Sequence, residues 1–160
     1  MNLTWERLVE ASVSKGLLLS AVESCTGGLV SSLITDVPGA SKAYLGGLSA
    51  YSNDLKISLA GVDEDTLIGN GAVSPDTARE MAEGFLRISG ADITLSVTGI
   101  AGPTGGTDEK PVGTVYIGIA VKGGETHVEG FFLPGLTRTG FKEEVAKRAL
   151  SMILATVDGL

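Results

Sequence analysis

A three-layer α/β/α sandwich on a mixed sheet is the fold class this sequence predicts. Three observations predict it. Helical and strand-like segments alternate through the first two thirds of the chain. Two extended runs, 112–121 and 126–133, then follow around Lys122-Gly123-Gly124-Glu125, a short hairpin that adds antiparallel strands. No low-complexity linker interrupts the 160 residues, a length that suits one domain, 1–160, with its own core.

The elements follow in order. Residues 3–15 place Trp5, Leu8, Val9 and Val13 at helical spacing, and Gly16 ends the helix. The apolar run 17–22 reads as a buried strand, 25–35 as a helix stopped before Pro38, and 43–51 as extended. A helix over 52–60 opens at Ser52 or Asn53, and 61–74 reads as an acidic, turn-rich connection. Ser74-Pro75 is a helix start, with Ala78, Met81, Ala82, Phe85 and Leu86 as the buried face. A strand over 93–98 leads into a Gly/Pro loop from Gly99 to Pro111. Pro134-Gly135 breaks the chain after the hairpin, and 138–156 closes it as a helix with Phe141, Val145, Ala149 and Met152 inward.

Composition narrows the function classes. Hydrophobic residues are 43% and aromatics 5%, so the core is mostly small and aliphatic. No apolar run is long enough for a membrane span, and the first residues lack the order of a signal peptide, so a cytoplasmic protein is expected. Asn2-Leu3-Thr4 matches a glycosylation sequon without a secretory context. One cysteine excludes an internal disulfide and, with one histidine, argues against a Cys/His zinc site. The net charge of −7 opposes nucleic-acid binding, which needs a positive footprint, but leaves room for a small anionic substrate held by one or two local cations. Glycine is the oddity, 23 residues clustered at element ends, as expected of turns and of backbone approaching a ligand.

Three constellations carry candidate chemistry. Ser24 sits in Glu23-Ser24-Cys25-Thr26-Gly27-Gly28, where a strand breaks and a helix resumes. Such a turn lifts a side chain above the sheet edge and aims helix N–H groups at a ligand; the plain alternative is a helix cap. The loop Thr98 to Thr107, with Gly99, Gly102 and Gly105, follows a strand and so lies at the sheet's carboxyl edge, where open α/β sheets bind ligands. It lacks the Gly-Lys-Ser/Thr ending of a P-loop, and the plain alternative is a mobile connection. In Tyr51-Ser52-Asn53-Asp54-Leu55-Lys56, a lysine whose pKa is lowered by burial would serve as base to a serine; a lone lysine is more often a solvated one. Cys25 is a rival nucleophile or a buried thiol, His127 a surface or rim residue, and Arg138 an anion clamp or a solvated cation.

Together these segments, with Gly71-Ala72-Val73-Ser74 and Lys110-Pro111-Val112-Gly113-Thr114-Val115, resemble the CinA C-terminal domain family, in order and spacing, over nearly the whole chain. Characterised members are nicotinamide mononucleotide amidohydrolases. The resemblance implies a cytosolic bacterial-type enzyme, an anticodon-binding-domain-like α/β/α fold, and hydrolysis of nicotinamide mononucleotide to nicotinate mononucleotide and ammonia without metal or cofactor. It implies Ser24 as nucleophile and Lys56, Tyr51 and Thr98 as catalytic partners. Cys25, Thr26, Gly27, Gly28, Gly99, Gly102, Gly105 and Arg138 are expected around the substrate. Many relatives carry arginine one helical turn after Arg138, where this chain has Lys142, and one extra residue separates Pro134-Gly135 from Arg138. The N-terminal pyrophosphatase domain of longer relatives is not matched. The expected partner is a mononucleotide, not nucleic acid or membrane, and homo-oligomerisation is left open. The rival class is a non-catalytic pyridine-nucleotide-binding module tied to competence or DNA damage. Ser24, Tyr51, Lys56 and Thr98 all being present favours the enzyme.

Overall fold

The computed structural model describes residues 4–160, so the sequon at Asn2 and the expected helix start at residue 3 lie outside the described residues. The elements are α1 (Trp5–Lys15), β1 (Leu19–Glu23), α2 (Leu29–Thr35), a 3-10 turn (Ala40–Lys42), β2 (Tyr44–Ser49), α3 (Asn53–Ser58), α4 (Glu64–Asn70), α5 (Pro75–Ser89), β3 (Ile93–Gly99), β4 (Thr114–Val121), β5 (His127–Phe132) and α6 (Arg138–Gly159). The strands form one sheet in the order β2-β1-β3-β4-β5. β1 runs parallel to both β2 and β3, whereas β3, β4 and β5 are antiparallel neighbours, so the sheet is mixed. No helix among the described residues is long and apolar enough to cross a membrane.

Helices cover both faces. On one, α1, α2 and α6 bury Leu8, Val30, Ile34, Phe141 and Val145 against Leu19, Ala21, Leu95, Val97 and Ile117. On the other, Val22 packs with Ala50, Ala60, Val62, Leu67 and Met81 from the α3–α5 layer. This second face of the central strands is lined by hydroxyls, and each is satisfied. Ser20 Oγ meets Thr94 Oγ1 at 2.7 Å and Ser89 Oγ at 2.9 Å, and Ser96 Oγ donates to the Ala78 carbonyl at 2.6 Å. Small side chains here let α5 lie close to the sheet. A Cβ on Gly118 would stand 2.6 Å from Ser96 Oγ.

Two expected boundaries are corrected. The stretch 61–74 is not all turn: Asp63 caps α4 by accepting from Asp65 N–H at 2.9 Å, and Glu64 and Asp65 occupy its first turn. The helix expected from residue 25 begins at Leu29, after a turn that Gly27 and Gly28 make possible at φ 61° and 99°. The chain leaves β1 toward β2 on one side and returns from β2 to β3 on the other. β1 is therefore the switch point, and the carboxyl ends of β1 and β3 lie side by side.

Candidate active site

Ser24 stands at that edge. Its N–H donates to the Val97 carbonyl at 2.9 Å, which prolongs the β1–β3 pairing, and its carbonyl accepts from Gly27 N–H at 3.0 Å, which closes the turn. Ser24 does not cap α2. Glu23 does, its buried carboxylate accepting from Val30 N–H at 3.0 Å and Ser31 N–H at 2.8 Å. The helix N-terminus is thus already neutralised from within, and the expectation that its N–H groups receive the substrate is corrected.

Lys56 reaches Ser24 from α3, a helix started by the Ser52 hydroxyl, which accepts from Leu55 N–H at 3.2 Å. The lysine is 1% exposed, and its Nζ contacts Ser24 Oγ at 3.0 Å, the Ala50 carbonyl at 2.9 Å and the Tyr51 carbonyl at 3.1 Å. Burial lowers its pKa below the ordinary lysine value of 10.5. A neutral amine has two N–H bonds and one lone pair. With the two carbonyls taking those N–H bonds, the lone pair of the neutral form would face Ser24 Oγ, to which the protonated form donates.

The other expected residues separate into two groups, those that line the cleft and those that do not. Cys25, Gly99, Gly102, Gly105 and Arg138 line a cleft of about 260 Å³ together with Ser24, Lys56, Tyr51 and Thr98. Within it, Thr98 Oγ1 donates to the Ala72 carbonyl at 2.6 Å and so ties β3 to the bend before α5. Tyr51 makes contacts of the orienting kind. Its carbonyl holds Lys56, while its ring is 61% exposed and its hydroxyl accepts from Arg138 Nη2 at 2.8 Å. Arg138, the first residue of α6, also donates to the Gly102 carbonyl at 2.8 Å, so one guanidinium joins α6, the Gly loop and Tyr51 at the cleft mouth.

Thr26, Gly27 and Gly28 do not line the cleft, a correction to the expected substrate shell. Thr26 is buried and donates to Glu23 Oε2 at 2.7 Å. The two glycines serve the turn. Lys142 approaches Gly27 rather than the Gly loop. Asn53, Ala72, Val73, Ile100, Ala101 and Thr104 also line the cleft and were not among the expected site residues, although each lies within a motif that was named. His127 opens β5 on the surface, against Glu129 at 2.8 Å. A larger groove, about 750 Å³, runs between α2 and the free edge of β2. Its one titratable lining group, Tyr44, is already engaged with Ser31 Oγ at 2.8 Å, so no reactive pair faces it.

Fold and site define a class: an α/β protein with a mixed five-stranded sheet and a buried serine–lysine pair at its carboxyl edge. Within that class the chain belongs to the CinA C-terminal domain family, whose model matches residues 3–157. A CinA-like protein of Kosmotoga olearia is 51% identical over 138 residues, 86% of this chain and 33% of that protein. A CinA-like protein of Desulfotalea psychrophila is 46% identical over 144 residues, 90% of this chain and 34% of its own. The chain thus spans about a third of the length of these curated relatives. Among solved structures, the competence/damage inducible protein CihA of Agrobacterium tumefaciens superposes with a TM-score of 0.89 at 37% identity, covering 97% of this chain and 98% of that one. A CinA superfamily protein of Klebsiella pneumoniae gives 0.93 at 26% identity over the full length of both.

Proposed function

We propose that this protein is a serine amidohydrolase that deamidates nicotinamide mononucleotide to nicotinate mononucleotide and ammonia. The observation that carries the reading is the 3.0 Å contact between Ser24 Oγ and the buried Lys56 Nζ inside a cleft rimmed by Arg138. An amide is a poor electrophile, so its hydrolysis needs an activated nucleophile and a donor set for the developing oxyanion.

Neutral Lys56 takes the Ser24 proton as Oγ bonds to the carboxamide carbon. The N–H group of Cys25, a cleft residue whose N–H has no main-chain acceptor among the described residues, is the donor assigned to the oxyanion. Collapse breaks the C–N bond, and the Lys56 ammonium returns its proton to the leaving nitrogen, which departs as ammonia. Water then attacks the acyl-serine with Lys56 as base again, releasing the carboxylate and restoring Ser24. Arg138 and the N–H groups of the Gly loop take the phosphate. Ammonia release from nicotinamide mononucleotide, measured for the purified protein and for Ser24→Ala, tests the reading. It requires release by the first and none by the second.

A further inference from the structure

Among the described residues Glu23 is the one buried carboxylate; it adjoins the reactive pair, and the mechanism above does not use it. It is fully buried at the end of β1, immediately before Ser24. No lysine or arginine among the described residues pairs with it. Instead it accepts hydrogen bonds from five donors. Oε2 takes Thr26 Oγ1 at 2.7 Å, Gly28 N–H at 3.1 Å and Val30 N–H at 3.0 Å; Oε1 takes Ser31 N–H and Oγ at 2.8 and 2.7 Å. Ser31 Oγ in turn accepts from the Tyr44 hydroxyl at 2.8 Å, which extends the network to β2. The donors on Oε2 span the turn that carries Ser24, and those on Oε1 belong to α2.

We propose that Glu23 is a positioning residue for the nucleophile: its carboxylate clamps the 24–28 turn to the start of α2 and so sets Ser24 Oγ against Lys56 Nζ. The inference rests on the reading of Ser24 as nucleophile. The physical case is that a serine free to cap α2 would turn its hydroxyl toward the helix N–H groups, the common fate of serine before a helix. Glu23 removes that alternative by occupying those donors itself. A buried, hydrogen-bonded carboxylate is also costly to leave half satisfied, so the network has one stable arrangement.

Glu23→Gln is the direct probe. In either orientation of the new amide, its NH2 faces an N–H donor that the carboxylate oxygen had satisfied. The measurement is the rate constant for covalent labelling of Ser24 by a fluorophosphonate, in which Oγ bonds to phosphorus, fluoride leaves and Lys56 takes the proton. The rate constant is read separately from the final amplitude. Loss of folded protein lowers the amplitude, whereas loss of positioning lowers the rate constant of the protein that remains folded. The expected result is a rate constant reduced at least about tenfold. Titration with nicotinamide mononucleotide should shift affinity less than about threefold, because no group on the phosphate moves. Should Glu23→Gln fail to fold, Ser31→Ala decides: it removes one bond to Oε1 and the Tyr44 link, and a rate reduced about threefold or more is expected. A rate constant within twofold of wild type in the folded variant overturns the proposal. Labelling of wild-type Ser24 with no ammonia release from the mononucleotide would sink the substrate assignment and leave the positioning role standing; no labelling of wild-type Ser24 would overturn both.

Discussion

Burial has opposite consequences for the two groups nearest Ser24. The Cys25 thiol is pushed up to about 12, chiefly because a thiolate is poorly solvated there, with Glu23 adding to the effect. It stays protonated and a weak nucleophile at neutral pH. The same desolvation lowers the Lys56 pKa, the direction a lysine acting as base requires. Ser24→Ala should therefore abolish turnover, and Cys25→Ser should keep more than about a tenth of it; the reverse pattern in steady-state assays would make the thiol the nucleophile. Lys56→Met should lower kcat far more than it raises KM. Wild-type activity should decline as pH falls through the depressed pKa of Lys56. Stability follows the same group. The unfolded lysine binds its proton up to about pH 10.5, whereas the folded one releases it at lower pH, so between those values the unfolded chain holds more protons and wild type gains stability as pH rises. Lys56→Met lacks that gain. Melting temperatures taken from pH 7 to 10 should show wild type rising relative to the variant, and parallel curves would mean that Lys56 titrates normally.

Whole elements explain how distant residues meet. α3 exists to carry Lys56 back toward β1, and α6 begins where its first residue can hold Tyr51 and the Gly loop together. Hydrogen bonds to a charged group contribute roughly 1.5–3 kcal/mol, so Arg138→Ala should weaken mononucleotide affinity about tenfold to a hundredfold in calorimetric titration. Unchanged affinity would remove Arg138 from the site. The α5 layer depends on close approach as well. A Cβ on Gly84 would sit on the Ala60 carbonyl oxygen, so Gly84→Ala should cost about 1–3 kcal/mol by chemical denaturation; a stability unchanged from wild type would show that the layer can separate. The long periodic helices, the hairpin and the Gly loop were all legible in the sequence, because apolar spacing and glycine clusters report directly on burial and turns. α4 was not, although Asp63, Glu64 and Asp65 are the acidic start that a helix favours. Short helices bury little, and Leu67 alone shows its inward face. The start of α2 was misplaced for a different reason. A serine followed by small residues looks like a cap, and nothing local reveals that a strand-end glutamate has taken the cap instead.

At the scale of the molecule, the proposed function asks a chain of charge −7 to hold a mononucleotide that carries its own negative charge. On that reading the offset comes from Arg138 at the cleft mouth and from loop N–H groups, rather than from a basic surface. The site's place between β1 and β3 was legible from motif order, since both motifs follow strands and strand ends gather at one sheet edge. That the serine and lysine touch was not, because 32 residues separate them and only the return of α3 over the sheet brings them together. The central claim is that this contact performs amide hydrolysis on a pyridine mononucleotide. Its most direct test is a time course of nicotinate mononucleotide and ammonia formed from nicotinamide mononucleotide, run with wild type and Ser24→Ala side by side. The account predicts equal amounts of the two products from wild type and neither from the variant. Product formed at the wild-type rate by Ser24→Ala, or none by folded wild type, would contradict it.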